Sequence, residues 1–426
     1  MVQNSTSAAP ARPPLLRQGR GLRVAFIGSK CLLDDASGVG HSIRSILECL
    51  AREGAEATSF SASLFDAIDD VSFRDRIGRN GYPIQNCGGR LLRVSRSGVQ
   101  HFVLQTQSSH IHDLTWRDSA RFHRALEGYL AAKKSEIVIT YGSGSHAKRM
   151  HSAIRAAGAQ LVFYLGHAGI DGWDWFLPGD RAICPSQFLV DRYSARLCGP
   201  VDVLHPIISS DRFVNDPATA IGGRPAPHRR GFVTHVNPVP HKGLTMLIAL
   251  ARQAMRERPE MKFLVLQGQM SKDALWRDSI GLASLANVTL LPVQRDMAAV
   301  YARTNVLLMP SYCHEGFGRA AVEASLSGVP VLASRHGGLP EATGRAGILL
   351  DIPSHCMSDP LYFPDEQTTN CWWEALTSIW DDECAYATAS KRARKAGQKF
   401  HPKLTRSAII EYFRGIAAAQ PSIGLI

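Results

Sequence analysis

At 426 residues, 45 % of them apolar and 20 % charged, the chain has a globular composition and length enough for two cores. Its nine cysteines include no Cys-x-x-Cys pair, which excludes the common zinc and dithiol motifs and implies reduced thiols in a cytoplasmic setting. No apolar run approaches the ~18–20 residues of a membrane-spanning helix. The net charge of +11 admits an anionic membrane surface, at the periphery of an inner membrane, or phosphate-bearing substrates. Nucleic acid is not expected, because no Lys/Arg block is interleaved with aromatics.

Residues 1–20, rich in Ser, Ala, Pro and Arg, read as a disordered tail. The run Val24-Ala25-Phe26-Ile27-Gly28 predicts a central parallel strand. A helix follows, with Ile43, Ile46, Leu47, Leu50 and Ala51 on one face and Gly54 at its C-terminal cap. Residues 56–115 carry more β than α signal without clear boundaries. Strands are predicted over 137–141, 161–165, 182–184 and 201–204, with a basic helix ending near Ala157. The Pro/Gly-rich stretch 215–230 reads as a linker. The rhythm then restarts, with strands over 232–236, 263–266, 288–291, 306–309, 330–333 and 348–350 and a helix over 244–255. Two such alternations imply two Rossmann-like α/β domains with parallel sheets, over 21–214 and 231–395. In the last segment, 396–426, Ile409, Tyr412, Phe413 and Ile416 form the stripe of an amphipathic helix.

Open α/β sheets bind ligands beyond the carboxyl ends of their strands, so the loops there hold the candidate site. The strongest segment is Glu315-Gly316-Phe317-Gly318-Arg319-Ala320-Ala321-Val322-Glu323-Ala324. Its glycines let the backbone approach a ligand and open a helix whose free N–H groups favour anions or hydroxyl oxygens. On one helix, Glu315 and Glu323 would stand roughly 12 Å apart. That is too far for a carboxylate dyad on one sugar bond, but it suits two contacts along an extended ligand. Other candidates are Asn237-Pro238-Val239-Pro240-His241-Lys242-Gly243, the turn at Gln267-Gly268, the loop Ser37-Gly38-Val39-Gly40, and His167, with His110 and His112 behind it. Asp171-Gly172-Trp173-Asp174-Trp175-Phe176 suits either an acceptor sugar or a Trp-rich plug under a loop.

The Glu-x7-Glu motif headed by Glu-Gly-Phe-Gly is followed by Ser-Gly-Val-Pro-Val-Leu-Ala-Ser and His336-Gly337-Gly338-Leu339-Pro340-Glu341. Together they resemble the retaining glycosyltransferases of family 4, which have the GT-B fold. The likeness is sharp over about 230–350 and looser over 22–55 and 160–213. It implies a cleft between an N-terminal acceptor domain and a C-terminal donor domain, with the last helix crossing back to the first. It implies a nucleoside-diphosphate sugar as co-substrate, an acceptor hydroxyl on a glycan, glycolipid or small molecule, and no cofactor or metal. By position, Glu315 would lie beside the donor sugar, with Gly316, Phe317 and Gly318 offering backbone N–H groups, and Glu323 would accept from the ribose. Lys242 would face the diphosphate, and Gly38, Gly40 and Gly268 would line the donor. Glu315, Lys242 and His167 would be the catalytic set. The family's usual arginine before that lysine is absent, and Asn237 stands in its place.

Three rival readings share parts of the pattern: a nucleotide-sugar epimerase, a phosphorylase and a catalytically silent GT-B binding module. The phosphorylase lacks its cofactor-lysine signature, and only the missing arginine favours the silent module. A dinucleotide oxidoreductase fails on its glycine fingerprint.

Overall fold

The apolar runs become strands buried on both faces, because each lobe sandwiches its sheet between helices. The computed structural model describes residues 16–17, 20–35, 37–65, 73–78, 81–110, 114–142, 145–214, 231–268 and 281–419. The linker at 215–230, His112 and nearly all of the tail at 1–20 lie outside them.

After a short ribbon of β1 (Leu16–Arg17) and β2 (Arg20–Gly21), the first lobe holds β3 (Arg23–Lys30), β4 (Glu56–Leu64), β5 (Ile84–Asn86), β6 (Leu91–Arg96) and β7 (Val99–Leu104). It continues with β8 (Ile137–Thr140), β9 (Gln160–Tyr164), β10 (Arg181–Cys184) and β11 (Val201–Val203). These nine form one sheet in the order β11-β10-β9-β8-β3-β4-β7-β6-β5. Pairing is parallel from β11 to β7 and antiparallel at the β7-β6-β5 edge. The unassigned β signal of 56–115 is β4, a central parallel strand whose buried Thr58, Ser59, Ser61 and Ser63 interrupt the apolar run, together with this antiparallel meander, whose β5 and β6 are short and partly exposed. Ala25 and Ile27 of β3 face one apolar cluster and Val24 and Phe26 the other. The helices are α1 (Gly38–Arg52), α2 (Phe73–Gly78), α3 (Trp116–Lys133), α4 (Ser145–Ala156) and α5 (Gln187–Tyr193).

The second lobe is a six-stranded parallel sheet of β12 (Phe232–Val236), β13 (Lys262–Leu266), β14 (Val288–Leu291), β15 (Thr304–Met309), β16 (Val331–Ser334) and β17 (Ile348–Leu350). Its order, β14-β13-β12-β15-β16-β17, reverses direction beside β12 and β15, where ligands are expected. Its helices include α6 (Leu244–Glu257), α7 (Met297–Ala302), α8 (Arg319–Leu326), α9 (Leu339–Thr343), α10 (Ser354–Ser358), α11 (Glu366–Trp380) and α12 (Glu383–Gly397). The last helix, α13 (Pro402–Ala419), places Ile409, Ile410, Phe413 and Ile416 in the first lobe's cluster beside Leu47 and Leu50. Phe400, just before it, still packs in the second lobe.

Candidate active site in the interlobe cleft

The carboxyl ends of β3, β9 and β10 face those of β12 and β15 across a cavity of about 1100 Å³ lined by both lobes. The lobes touch directly. Ser186 Oγ donates to the Gly316 carbonyl at 2.6 Å, and the Gln187 N–H donates to Glu341 Oε2 at 2.7 Å. His205 Nε2 lies 3.5 Å from Glu341 Oε1, and the His314 ring stacks on Phe188 at 5.7 Å. A side chain at 316 would not fit: its Cβ would sit 2.1 Å from the Gly166 carbonyl oxygen of the opposite lobe.

On the floor of the second lobe, the strand β12 ends at Val236 and a short turn delivers Lys242. Its Nζ lies 2.5 Å from Glu315 Oε1, which also accepts from Ser311 Oγ at 2.7 Å. Burial would raise the Glu315 pKa, but the Lys242 charge and these hydrogen bonds outweigh it and hold it low. Burial would lower Lys242, and Glu315 raises it. Both groups are therefore charged at neutral pH. Beneath them His235, fully buried on β12, donates Nδ1–H to the Leu308 carbonyl, and burial takes its pKa to about 4.

The helix α8 begins only at Arg319, with Gly318 as its N-cap at φ +106°. Glu315 therefore stands on the preceding loop, and the 12 Å spacing reckoned on one continuous helix is replaced by a loop-and-helix arrangement. The turn forms because Gly318 takes a left-handed conformation that a side chain disfavours. Glu323 lies within α8, nearly buried. Its carboxylate receives Arg212 Nε at 2.6 Å and Nη2 at 3.2 Å, and Tyr301 OH at 3.2 Å. Arg212 comes from the end of the first lobe.

Asn237 holds φ +63°, in the left-handed region that Asn tolerates, and its amide covers Gly268. A Cβ at Gly268 would meet Asn237 Oδ1 at 2.2 Å, so Gly268 is the residue that admits Asn237. In the first lobe α1 starts at Gly38, after the loop that leaves β3 at Lys30. Ser37 caps it by accepting the Gly40 N–H at 3.2 Å, so that N–H is already engaged. Burial and the charges of Arg44, Arg319 and Arg212 push His41, one turn further on, well below the usual imidazole range. His167 is exposed on the cavity wall, its Nδ1 accepting the Gly169 N–H at 3.2 Å.

Lys242, Glu315, Gly316, Phe317, Gly318, Glu323, Asn237, Gly268, Gly38 and His167 thus line one cleft. His110 is not among its walls; it bridges to Phe65 in the first lobe's sheet. Nor does the Asp171–Phe176 segment face the cleft. Trp175 and Phe176 are core residues packed on Phe163, and Asp174 pairs with Lys148 at the surface. It is the plug of the two readings. Among the described residues no group of three or more His, Cys, Asp or Glu is placed to hold a metal ion, and no helix is long and apolar enough to cross a membrane. Ser311, Arg212, Tyr301, Arg319 and Glu341 carried no assigned role in the sequence. Arg319 and Glu341 stand inside the quoted motifs, but Arg212 has no local signal at all.

Two parallel α/β lobes facing across a cleft, with the final helix returning to the first, define the GT-B architecture. A solved sucrose-phosphate synthase from Thermosynechococcus elongatus shares this fold, with a TM-score of 0.67 at 18 % identity over 93 % of this chain and 100 % of that one. The description "Glycosyl transferases group 1" fits residues 227–356. A D-inositol 3-phosphate glycosyltransferase of Streptomyces avermitilis is 32 % identical over 392 residues, 80 % of this chain and 79 % of the relative. One of Segniliparus rotundus, bearing the same name, is 33 % identical over 164 residues, and the match spans only 36 % of its length. The chain belongs to the group 1 glycosyltransferases of family 4.

Proposed function

We propose that this protein transfers a sugar from a nucleoside-diphosphate sugar to an acceptor hydroxyl with retention of anomeric configuration. The observation that carries the reading is the Lys242–Glu315 pair on the cleft floor, with Glu323 on the helix that follows. Glu315 would meet the hexose and Glu323 the ribose, with the diphosphate between them beside Lys242. Family membership supports this order of contacts. A fixed ammonium stabilises the charge that builds on a leaving diphosphate, and the buried setting strengthens that effect. Glu315 is engaged by Lys242 and Ser311, so no described side chain is assigned as a nucleophile and retention is assigned to attack on the face the diphosphate leaves, its phosphate taking the acceptor's proton. Fixed cations stand where a metal would otherwise act, so a chelator should leave activity intact.

The acceptor belongs in the first-lobe end of the cavity, where Lys30 and Arg76 line the wall beside Arg96, which pairs with Glu48 at 3.2 Å. Those side chains favour an acceptor that itself bears phosphate, which accords with the name of the relatives. The test is a thermal-shift panel of UDP-, GDP- and ADP-sugars, followed by release of the nucleoside diphosphate on addition of inositol phosphates or glycans. Selective stabilisation by one donor, transfer with retained configuration and loss of transfer in Glu315→Ala are expected. No stabilisation by any donor would reject the enzyme in favour of a silent binding module.

A further inference from the structure

The cleft's cations are not equally neutralised. Arg44 pairs with Asp35 at 3.1 Å, Lys242 with Glu315 at 2.5 Å, and Arg212 takes Glu323 in a two-pronged pair. Arg319 is different. Its Nη1 donates to Ser42 Oγ at 3.2 Å and to the Ile207 carbonyl at 3.4 Å, both neutral groups of the other lobe. No carboxylate lies within ion-pair distance of it among the described residues. Glu323, the acid whose field it feels, is engaged by Arg212 and Tyr301. A guanidinium partly withdrawn from water without a counter-charge carries a cost, and such a cost persists where a ligand supplies the missing anion.

Its placement says which anion. Arg319 is the first residue of α8, directly after the glycine turn that follows Glu315, and its side chain reaches Ser42 at the start of the second turn of α1. The guanidinium therefore lies between the head of α8 and the N-terminal part of α1, in the same cavity as Lys242, and helix N-termini add to the positive potential there. Asn237, meanwhile, leaves one cation missing on the Lys242 side.

We infer that Arg319 is the second diphosphate-binding cation of this enzyme, supplied from the head of α8 in place of the side chain missing at Asn237. This rests on the nucleotide-sugar reading above and assigns its leaving-group chemistry. As the bond from the sugar's anomeric carbon to the β-phosphate oxygen breaks, its electron pair passes to that oxygen. The acceptor oxygen forms the new bond, and its proton moves to the leaving phosphate. Arg319 and Lys242, on the wall of the same cavity, share that charge. Because Arg319 also bridges to Ser42 and Ile207, the clamp is complete only with the lobes together.

The experiment compares binding of UDP, GDP and ADP with that of uridine, guanosine and adenosine, by calorimetry, in the full-length wild type, Arg319→Gln and Arg319→Lys. For the preferred base, Arg319→Gln should weaken the diphosphate by about 10- to 100-fold and leave the nucleoside unchanged. Arg319→Lys keeps the charge but not the planar fork, so it should lose a smaller factor, again only with the diphosphate. Equal losses for nucleoside and diphosphate would assign Arg319 to lobe packing and overturn the inference, as would no loss in either variant. Should Arg319→Gln not fold, the lysine variant alone decides: a diphosphate-specific loss supports the inference, and wild-type affinity overturns it. If the wild type binds none of the diphosphates, the nucleotide-sugar reading itself fails, a result separable from failure of Arg319 alone.

Discussion

Replacing Lys242 with Met removes one partner of a buried ion pair and leaves the Glu315 carboxylate with a single hydroxyl donor, Ser311. Breaking such a pair costs about 3–5 kcal/mol. The Lys242 side chain is 22 % exposed and that of Glu315 11 %, so water relieves part of the penalty and about 3 kcal/mol applies. At about 2–4 °C per kcal/mol for a lobe of this size, the second lobe should melt roughly 6–12 °C lower at pH 7. The pH dependence is more telling. In the wild type the Glu315 pKa is depressed, so its contribution is present above the unfolded value and lost as pH falls through the folded one. Without Lys242 burial dominates and the pKa is raised. The penalty then exists only where the unfolded carboxyl ionises, and it disappears on acidification. The difference between wild type and variant should therefore shrink as pH falls from 7 toward the free carboxyl value of 4.5, and close below it as the wild-type carboxylate in turn protonates, as followed by differential scanning calorimetry. A melting difference that stays constant from pH 7 to 4.5 would refute the buried-pair account. Transfer activity of the variant should fall by about 10²–10³-fold.

Gly316→Ala should leave each lobe folded but hold the lobes apart, since the new methyl meets the Gly166 carbonyl. A larger radius of gyration by solution scattering and a loss of about 10²-fold in activity are expected, and an active, equally compact variant would contradict the contact. Burial, with the Arg44 and Arg96 charges, takes His101 to about 3; burial with Arg155 and His146 takes His151 to about 3; His235 lies at about 4. The unfolded imidazoles take up protons first, so stability falls as pH drops below about 6.5, by about 2 kcal/mol per histidine at pH 5. Denaturant midpoints at pH 7 and 5 check this, and His101→Phe should flatten the slope. Phe413→Ala should cost about 3–5 kcal/mol, and the loss should appear in the first lobe although the residue is near the C-terminus. Hydrogen exchange of α1 amides reads it directly, and unchanged protection there would reject the crossing helix.

The alternation of strands and helices was legible because central parallel strands are apolar on both faces. Val24–Ile27 and Val306–Leu308 show this, each sending alternate residues into two clusters. The β5–β7 meander was not legible, because its edge strands are short and half in water, and the glycine-headed helix expected to carry both Glu315 and Glu323 begins only after the left-handed turn at Gly318. The two tryptophans after His167 offered equal grounds for a sugar platform and a plug. Only packing on Phe163 and Tyr193 separated them.

By itself the sequence determined the two α/β lobes, the glycine-bearing loops at their strand ends and the candidate residues Lys242, Glu315 and Glu323, since these follow from local periodicity and contiguous motifs. Tertiary structure alone decided the partners. Arg212 reaches Glu323 from 111 residues away, Ser42 meets Arg319 across 277, and Glu341 caps the backbone at Gln187 from 154. Charge balance in the cleft is a property of distances between lobes. No residue's sequence neighbours report whether its charge will be met by another once the lobes come together.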